Sequence, residues 1–222
     1  MNLYFLVEGK RTEKKVYRAW IGHAFPHLSE ANTIEGVQSN HFFLLAGNGY
    51  PSYHQRILDA LEDIVRHGTI DHFLICIDAE QDSVETKISR INEQISNGPA
   101  FPNCHVVVHD CCIETWFLGN RKMLARQPQS EPLRQFKRFY DVSVDDPERM
   151  GCSPEYEVRA LFHQDYLKEM LRERGLSYTK PRPWAVTERY YFDALVERNA
   201  QTGHLRTFGR LITLWRAFGG AI

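Results

Sequence analysis

Several acidic residues in this chain stand directly behind apolar runs. "NLYFLVEGKR" places Glu8 after Leu3–Val7, and "HFLICIDAEQD" places Asp78, Glu80 and Asp82 after a second such run. "HDCCIETWFLGN" adds Asp110 and Glu114 just past a third. Clustered carboxylates repel one another and disfavour their own ionisation unless a cation joins them. Hard oxygen donors select Mg²⁺ or Mn²⁺. A cation held there can polarise a phosphoryl oxygen and generate hydroxide, which is the chemistry of phosphodiester cleavage.

Each acid has a second, structural reading. Asp82 precedes Ser83 and lies three residues ahead of Glu85, so capping the next helix is its favoured role and metal ligation the other. Asp110 suits a turn, and Glu114 suits the first turn of a helix, where the macrodipole favours negative charge. Glu8 and Asp78 have no such local role. Lys10 and Arg11 follow Glu8 and either neutralise a phosphate or stand solvated before a helix capped by Thr12. Gly47-Asn48-Gly49 offers backbone N–H groups to a phosphate, with a tight turn the commoner role for such a glycine pair. The run of His105, His109, Asp110, Cys111 and Cys112 suggests a Cys–His nucleophile, which is set aside because adjacency in sequence does not bring the groups together in space. No CxxC or HxxxH spacing indicates zinc, and Cys76 reads as a small core hydrophobe.

The elements that position these residues follow from periodicity. Leu3–Val7, Phe42–Ala46, Phe73–Asp78 and His105–His109 are short apolar strands. Between them, Ile57, Leu58, Leu61, Ile64 and Val65 form one helical stripe, and Val84, Ile88, Ile91 and Ile95 form another. Apolar strands alternating with amphipathic helices predict an α/β fold: a parallel sheet with helices on both faces. Right-handed crossovers gather the strand C-termini on one edge, where chemistry collects in such sheets. Residues from about Gln127 to Ser153 form a proline-containing irregular connection, with one helix in Leu133–Tyr140. Helical patterns then cover Tyr156–Arg174, Thr187–Asn199 and about Leu205–Phe218. The expected division is an α/β domain over residues 1–126 and a mainly helical module over residues 127–222.

Composition sets the class. The 222 residues are 43% hydrophobic and 25% charged, the balance of a folded globular chain. No apolar run is long enough to span a bilayer, and no export signal is evident, so a soluble cytoplasmic protein without a membrane partner is expected. Five cysteines without regular spacing fit a reducing compartment. Residues 1–120 hold 9 Lys/Arg against 15 Asp/Glu, and residues 121–222 hold 18 against 13. An acidic half suits a cation and a basic half suits a phosphate backbone, while unequal solvated faces explain the asymmetry equally well.

The three acid-bearing segments together resemble the TOPRIM domain of topoisomerases, bacterial primases and OLD-family nucleases. "LVEGKRTE" matches its Glu-Gly segment and "ICIDAEQD" its Asp-x-acid segment. "CIETWFLGNRKML" is similar to a Glu-aromatic-Leu segment in small standalone proteins of the OLD/RloB-like kind. The resemblance covers about residues 1–125. It implies a TOPRIM/Rossmann-like sheet, a general acid/base or metal ligand at Glu8, Mg²⁺ (or Mn²⁺) ligands at Asp78 and Glu80, and a supporting acid at Glu114. Here Glu80 stands where the family has an aspartate, and Asp82 is the residue that could substitute. The resemblance further implies a metal-dependent nuclease acting on DNA or RNA, often the effector of a bacterial anti-phage system controlled by an ABC/SMC-type ATPase partner. The alternative is a TOPRIM subunit with a decayed metal site that binds nucleic acid or a partner protein. A receiver-like domain phosphorylated on Asp78 is a third reading, which lacks the expected acidic pair. Homo-oligomerisation is left open.

The second half interleaves Arg172, Arg174, Lys180, Arg182 and Arg189 with Tyr166, Tyr178, Trp184, Tyr190 and Tyr191. Cations that contact phosphates beside aromatics that stack on unpaired bases make a nucleic-acid surface. The same pattern also describes a helical core with solvated arginines. The last helix is apolar around much of its girth and is expected to be buried.

Overall fold

A computed structural model describes residues 1–47, 49 and 52–222. Five strands form one sheet in the order β2-β3-β1-β4-β5. They are β1 (Asn2–Val7), β2 (Ser29–Ala31), β3 (His41–Ala46), β4 (His72–Asp78) and β5 (Cys104–His109). The sheet is parallel: Val7 pairs with Ala46 on one side and with Cys76 on the other. All of β1 is buried, which explains its uninterrupted apolar run. The expected α/β fold is present. The edge strand β2 was not legible, because three residues with two exposed polar members carry no period.

By compactness the chain divides into two units, residues 1–77 with 83–108 and residues 78–82 with 109–222. The first unit contains the helices α1 (Glu13–Ala24), α2 (Ser52–His67) and α3 (Val84–Ser96). Tyr4 packs edge-on to Phe43 and Phe73 in its core. The Tyr53 hydroxyl of α2 lies 2.9 Å from the Leu6 carbonyl and 3.0 Å from that of Cys76, tying the helix to β1 and β4. Thr12 precedes α1 in a helical conformation and makes no side-chain cap.

The second unit is mainly helical, with α4 (Ile113–Phe117), α5 (Glu131–Phe139), α6 (Arg159–Arg172), α7 (Trp184–Thr187), α8 (Arg189–Thr202) and α9 (Arg206–Ala217). The helix expected over Thr187–Asn199 is α8, which begins at Arg189; Thr187 ends the short α7, and Glu188 between them is extended at φ −66° and ψ 144°. Phe208, Leu211, Ile212 and Trp215 of α9 are buried, as the apolar girth of that helix predicts. Among the described residues, no helix is long and apolar enough to cross a membrane.

Candidate functional site

Strand β4 ends in Asp78, its one acid, half-buried, and the chain then turns sharply. The turn is held by backbone bonds from Ala79 N–H to the His109 carbonyl (2.9 Å) and from Glu80 N–H to the Cys111 carbonyl (2.8 Å). Glu80 takes φ +57°, a left-handed conformation that a side chain larger than glycine adopts at a cost. Its carboxylate is exposed. Asp82 is not the helix cap: Ser83 occupies that position and accepts the Thr86 N–H. The capping role therefore belongs to the next residue, whose shorter hydroxyl side chain reaches the first-turn amide, and Asp82 has no part in it.

His109 is fully buried at the end of β5, with Nδ1 2.7 Å from Asp78 Oδ1. An ionised carboxylate only accepts, so Nδ1 carries the proton and donates to Asp78. The ring is fixed from the side by Trp116, edge-on at a centroid distance of 4.4 Å. Trp116 in turn donates from Nε1 to Thr207 Oγ1 at 2.8 Å. Asp78 is thus oriented by a packed imidazole rather than left to solvent.

Glu80 and Asp82 line an open cleft of about 340 Å³ with Gln81, Val158, Arg159 and Ala160. Arg159 is locked in place: Nε donates to the Met150 carbonyl (2.8 Å), Nη2 to the Glu148 carbonyl (2.9 Å) and Nη1 to Asp110 (3.2 Å). Burial pushes the Asp110 carboxyl above its usual range, against the pull of Arg159. Glu114 is buried, and Tyr178 donates its hydroxyl to Oε1 at 2.9 Å. Its position suits holding neighbours in place more than meeting a solvent-borne ligand.

Glu8 follows β1 in the first unit, half-buried, with exposed Lys10 and Arg11 behind it. Asn48, the centre of the phosphate-loop reading, lies outside the described residues. The basic-aromatic stretch separates into two populations. Tyr166, Tyr178 and Tyr191 are core, whereas Trp184 and Tyr190 are about half exposed, at 55% and 50%. Core packing wins for the first three because each hydroxyl is satisfied internally; those of Tyr166 and Tyr191 donate to the Tyr140 and Phe117 carbonyls. Among the cations, Arg172 pairs with Glu169, Arg189 pairs with Asp193, and Arg174 donates to the Met123 and Leu124 carbonyls. Lys180 and Arg182 are exposed beside Trp184.

Among the described residues, one set of at least three His, Cys, Asp or Glu ligand atoms lies mutually within 4.8 Å: Cys111, Cys112 and His163, all buried. The acids form no set as tight. Thr115 Oγ1 sits between them, 2.8 Å from His163 Nδ1 and 3.7 Å from the Cys112 sulfur. Burial first, then the nearby Arg159 charge, pushes the His163 imidazole down to about 3, so it is neutral.

Arg159 and His163 escaped the sequence reading, and His109 entered it only within a Cys–His nucleophile that was set aside. His109 carried a weak signal, an ionisable side chain at a strand end beside Asp110. Arg159 and His163 had no local signal, since both act across long sequence separations. Comparison of the chain with family models, with curated proteins and with solved structures finds no match in any of the three.

Proposed function

We propose that the chain is a divalent-metal-dependent hydrolase of nucleic-acid phosphodiesters. The observation that carries this reading is the acid-lined cleft, where Glu80 and Asp82, in the turn that follows the His109-oriented Asp78 in sequence, stand with the immobilised cation Arg159. Hard carboxylate oxygens are the donor set for Mg²⁺ or Mn²⁺, and the donor chemistry fits. When bound, such an ion activates water and polarises a phosphoryl oxygen.

The remaining work falls to the chain's own residues. His109 fixes one oxygen of Asp78. Glu80 already stands in the cleft wall, in an exposed position. Arg159 presents positive charge to a phosphate, with its main-chain partners preventing its withdrawal. Glu114 is buried and held by the Tyr178 hydroxyl. Glu8, Lys10 and Arg11 enter on sequence grounds: an acid at a strand end, then exposed cations. The resemblance to OLD/RloB-like TOPRIM proteins adds the setting, an anti-phage effector held in check by a partner ATPase. Exposed Trp184 and Tyr190 among Lys180, Arg182 and Arg189 suit contact with an unpaired strand.

A second reading is a binding subunit without catalysis. The glutamate at position 80, together with acids less tightly grouped than the Cys/His set, favours it. Cleavage of single- and double-stranded DNA and RNA, with Mg²⁺ or Mn²⁺, separates the two. Under the nuclease reading, Asp78→Ala and Glu8→Ala each lose roughly 100-fold or more in rate. Unchanged cutting by both variants refutes it. A wild type that retains nucleic acid but never cuts it establishes the binding subunit.

A further inference from the structure

We propose that Cys111, Cys112 and His163 form a buried zinc site, separate in chemistry from the acid-lined cleft. The ligand atoms of all three lie mutually within 4.8 Å. Around tetrahedral zinc, sulfur and nitrogen ligands stand about 3.5–3.8 Å apart, so small side-chain rotations close the site. Thiolate and imidazole ligands are those zinc prefers, and Mg²⁺ takes neither readily.

Adjacent residues on an extended strand point to opposite faces, so two neighbouring cysteines do not ordinarily share a ligand. Here Cys111 takes φ +65° and Cys112 is extended at φ −153°. The left-handed turn is costly for a side-chain-bearing residue and brings both sulfurs to His163. The imidazole is also placed as a ligand. Its Nδ1 faces the Thr115 hydroxyl on the thiol side, while Nε2 lies 3.3 Å from the Met150 carbonyl. A donated hydrogen bond from the far nitrogen to a main-chain carbonyl is the usual support of a metal-bound histidine.

The charge balance permits a buried ion. Zinc binding releases one proton from each thiol to solvent, leaving two Zn–S bonds and one Zn–N bond. Two thiolates and a dication sum to zero, so burial carries no net-charge penalty. The remaining coordination position lies beside Thr115, for its hydroxyl or a water. Because the ligands are enclosed, zinc enters as the unit folds, and the site ties α6 to the turn between β5 and α4.

The test uses the full chain purified under reducing conditions from zinc-supplemented medium. Elemental analysis is expected to find about one zinc per chain. Chelation is expected to lower Tm by roughly 5 °C or more. Cobalt substitution is expected to give an intense thiolate-to-metal charge-transfer band. Cys112→Ser and His163→Ala lose the zinc, whereas Cys152→Ser, at an exposed cysteine, keeps it. Asp78→Ala also keeps the zinc and the band, so the outcome is independent of the nuclease reading. Trace zinc, no charge-transfer band and an unchanged Tm on chelation in the wild type overturn the proposal. Zinc retained by Cys112→Ser overturns it too. The cobalt spectrum of the wild type decides even where a variant fails to fold.

Discussion

Asp78 and Glu114 show two ways of keeping a carboxylate near a core. Asp78 ends a buried strand and is held by a fully enclosed imidazole, leaving part of its surface to solvent. Glu114 is enclosed and receives the Tyr178 hydroxyl. A buried acceptor deprived of its donor bears the desolvation cost in full. Tyr178→Phe keeps the ring and removes only the donor, so it is expected to destabilise the protein by about 1–3 kcal/mol in denaturant unfolding. A change below a few tenths of a kcal/mol would mean that Glu114 finds another partner.

At the scale of elements, α9 lacks a cap of its own. Leu205 begins it in a left-handed conformation and offers no side-chain acceptor. The missing acceptors come from the segment around Pro147–Arg149: Asp146 takes the Leu205 N–H at 3.0 Å, and Glu148 takes the Thr207 N–H at 2.9 Å. Burial pushes Glu148 up to about 7, with Asp146 and Asp110 adding to the rise and the Thr207 hydrogen bonds opposing it. The unfolded chain releases this proton near 4.5, whereas the folded chain keeps it to about 7. The contribution of Glu148 is therefore complete below pH 4.5 and is lost as pH climbs to 7. Its size is on the order of 3 kcal/mol. His163, pushed down to about 3, slopes the opposite way below its unfolded value. The comparison with Glu148→Gln isolates the acid: the stability difference, wild type minus variant, is expected to fall between pH 4.5 and 7. A flat difference across that window excludes the titration.

For the whole molecule, charge and exposed aromatics set what it can approach. The basic second half carries Trp184 and Tyr190 on its surface, at 55% and 50% exposure. If these stack on bases, Trp184→Ala weakens single-strand binding by about 1–3 kcal/mol, while the salt dependence set by phosphate contacts stays the same. Fluorescence anisotropy with a labelled oligonucleotide across a salt series reads both quantities. Equal affinity of variant and wild type removes Trp184 from the surface that meets nucleic acid.

Strand and helix periods, and the acids behind the strands, are local properties, so the sequence alone determined the α/β alternation and pointed to Glu8 and Asp78. A fully buried strand such as β1 announces itself because every side chain must be apolar. What each polar group touches is a different matter. His109 reaches Asp78 across 31 residues and His163 reaches Thr115 across 48. Ser83 rather than Asp82 caps α3, and Tyr166 and Tyr191 went to the core while Trp184 stayed outside. Only the tertiary structure decided these, because hydrogen bonding and burial depend on neighbours that the chain brings in from far along its length.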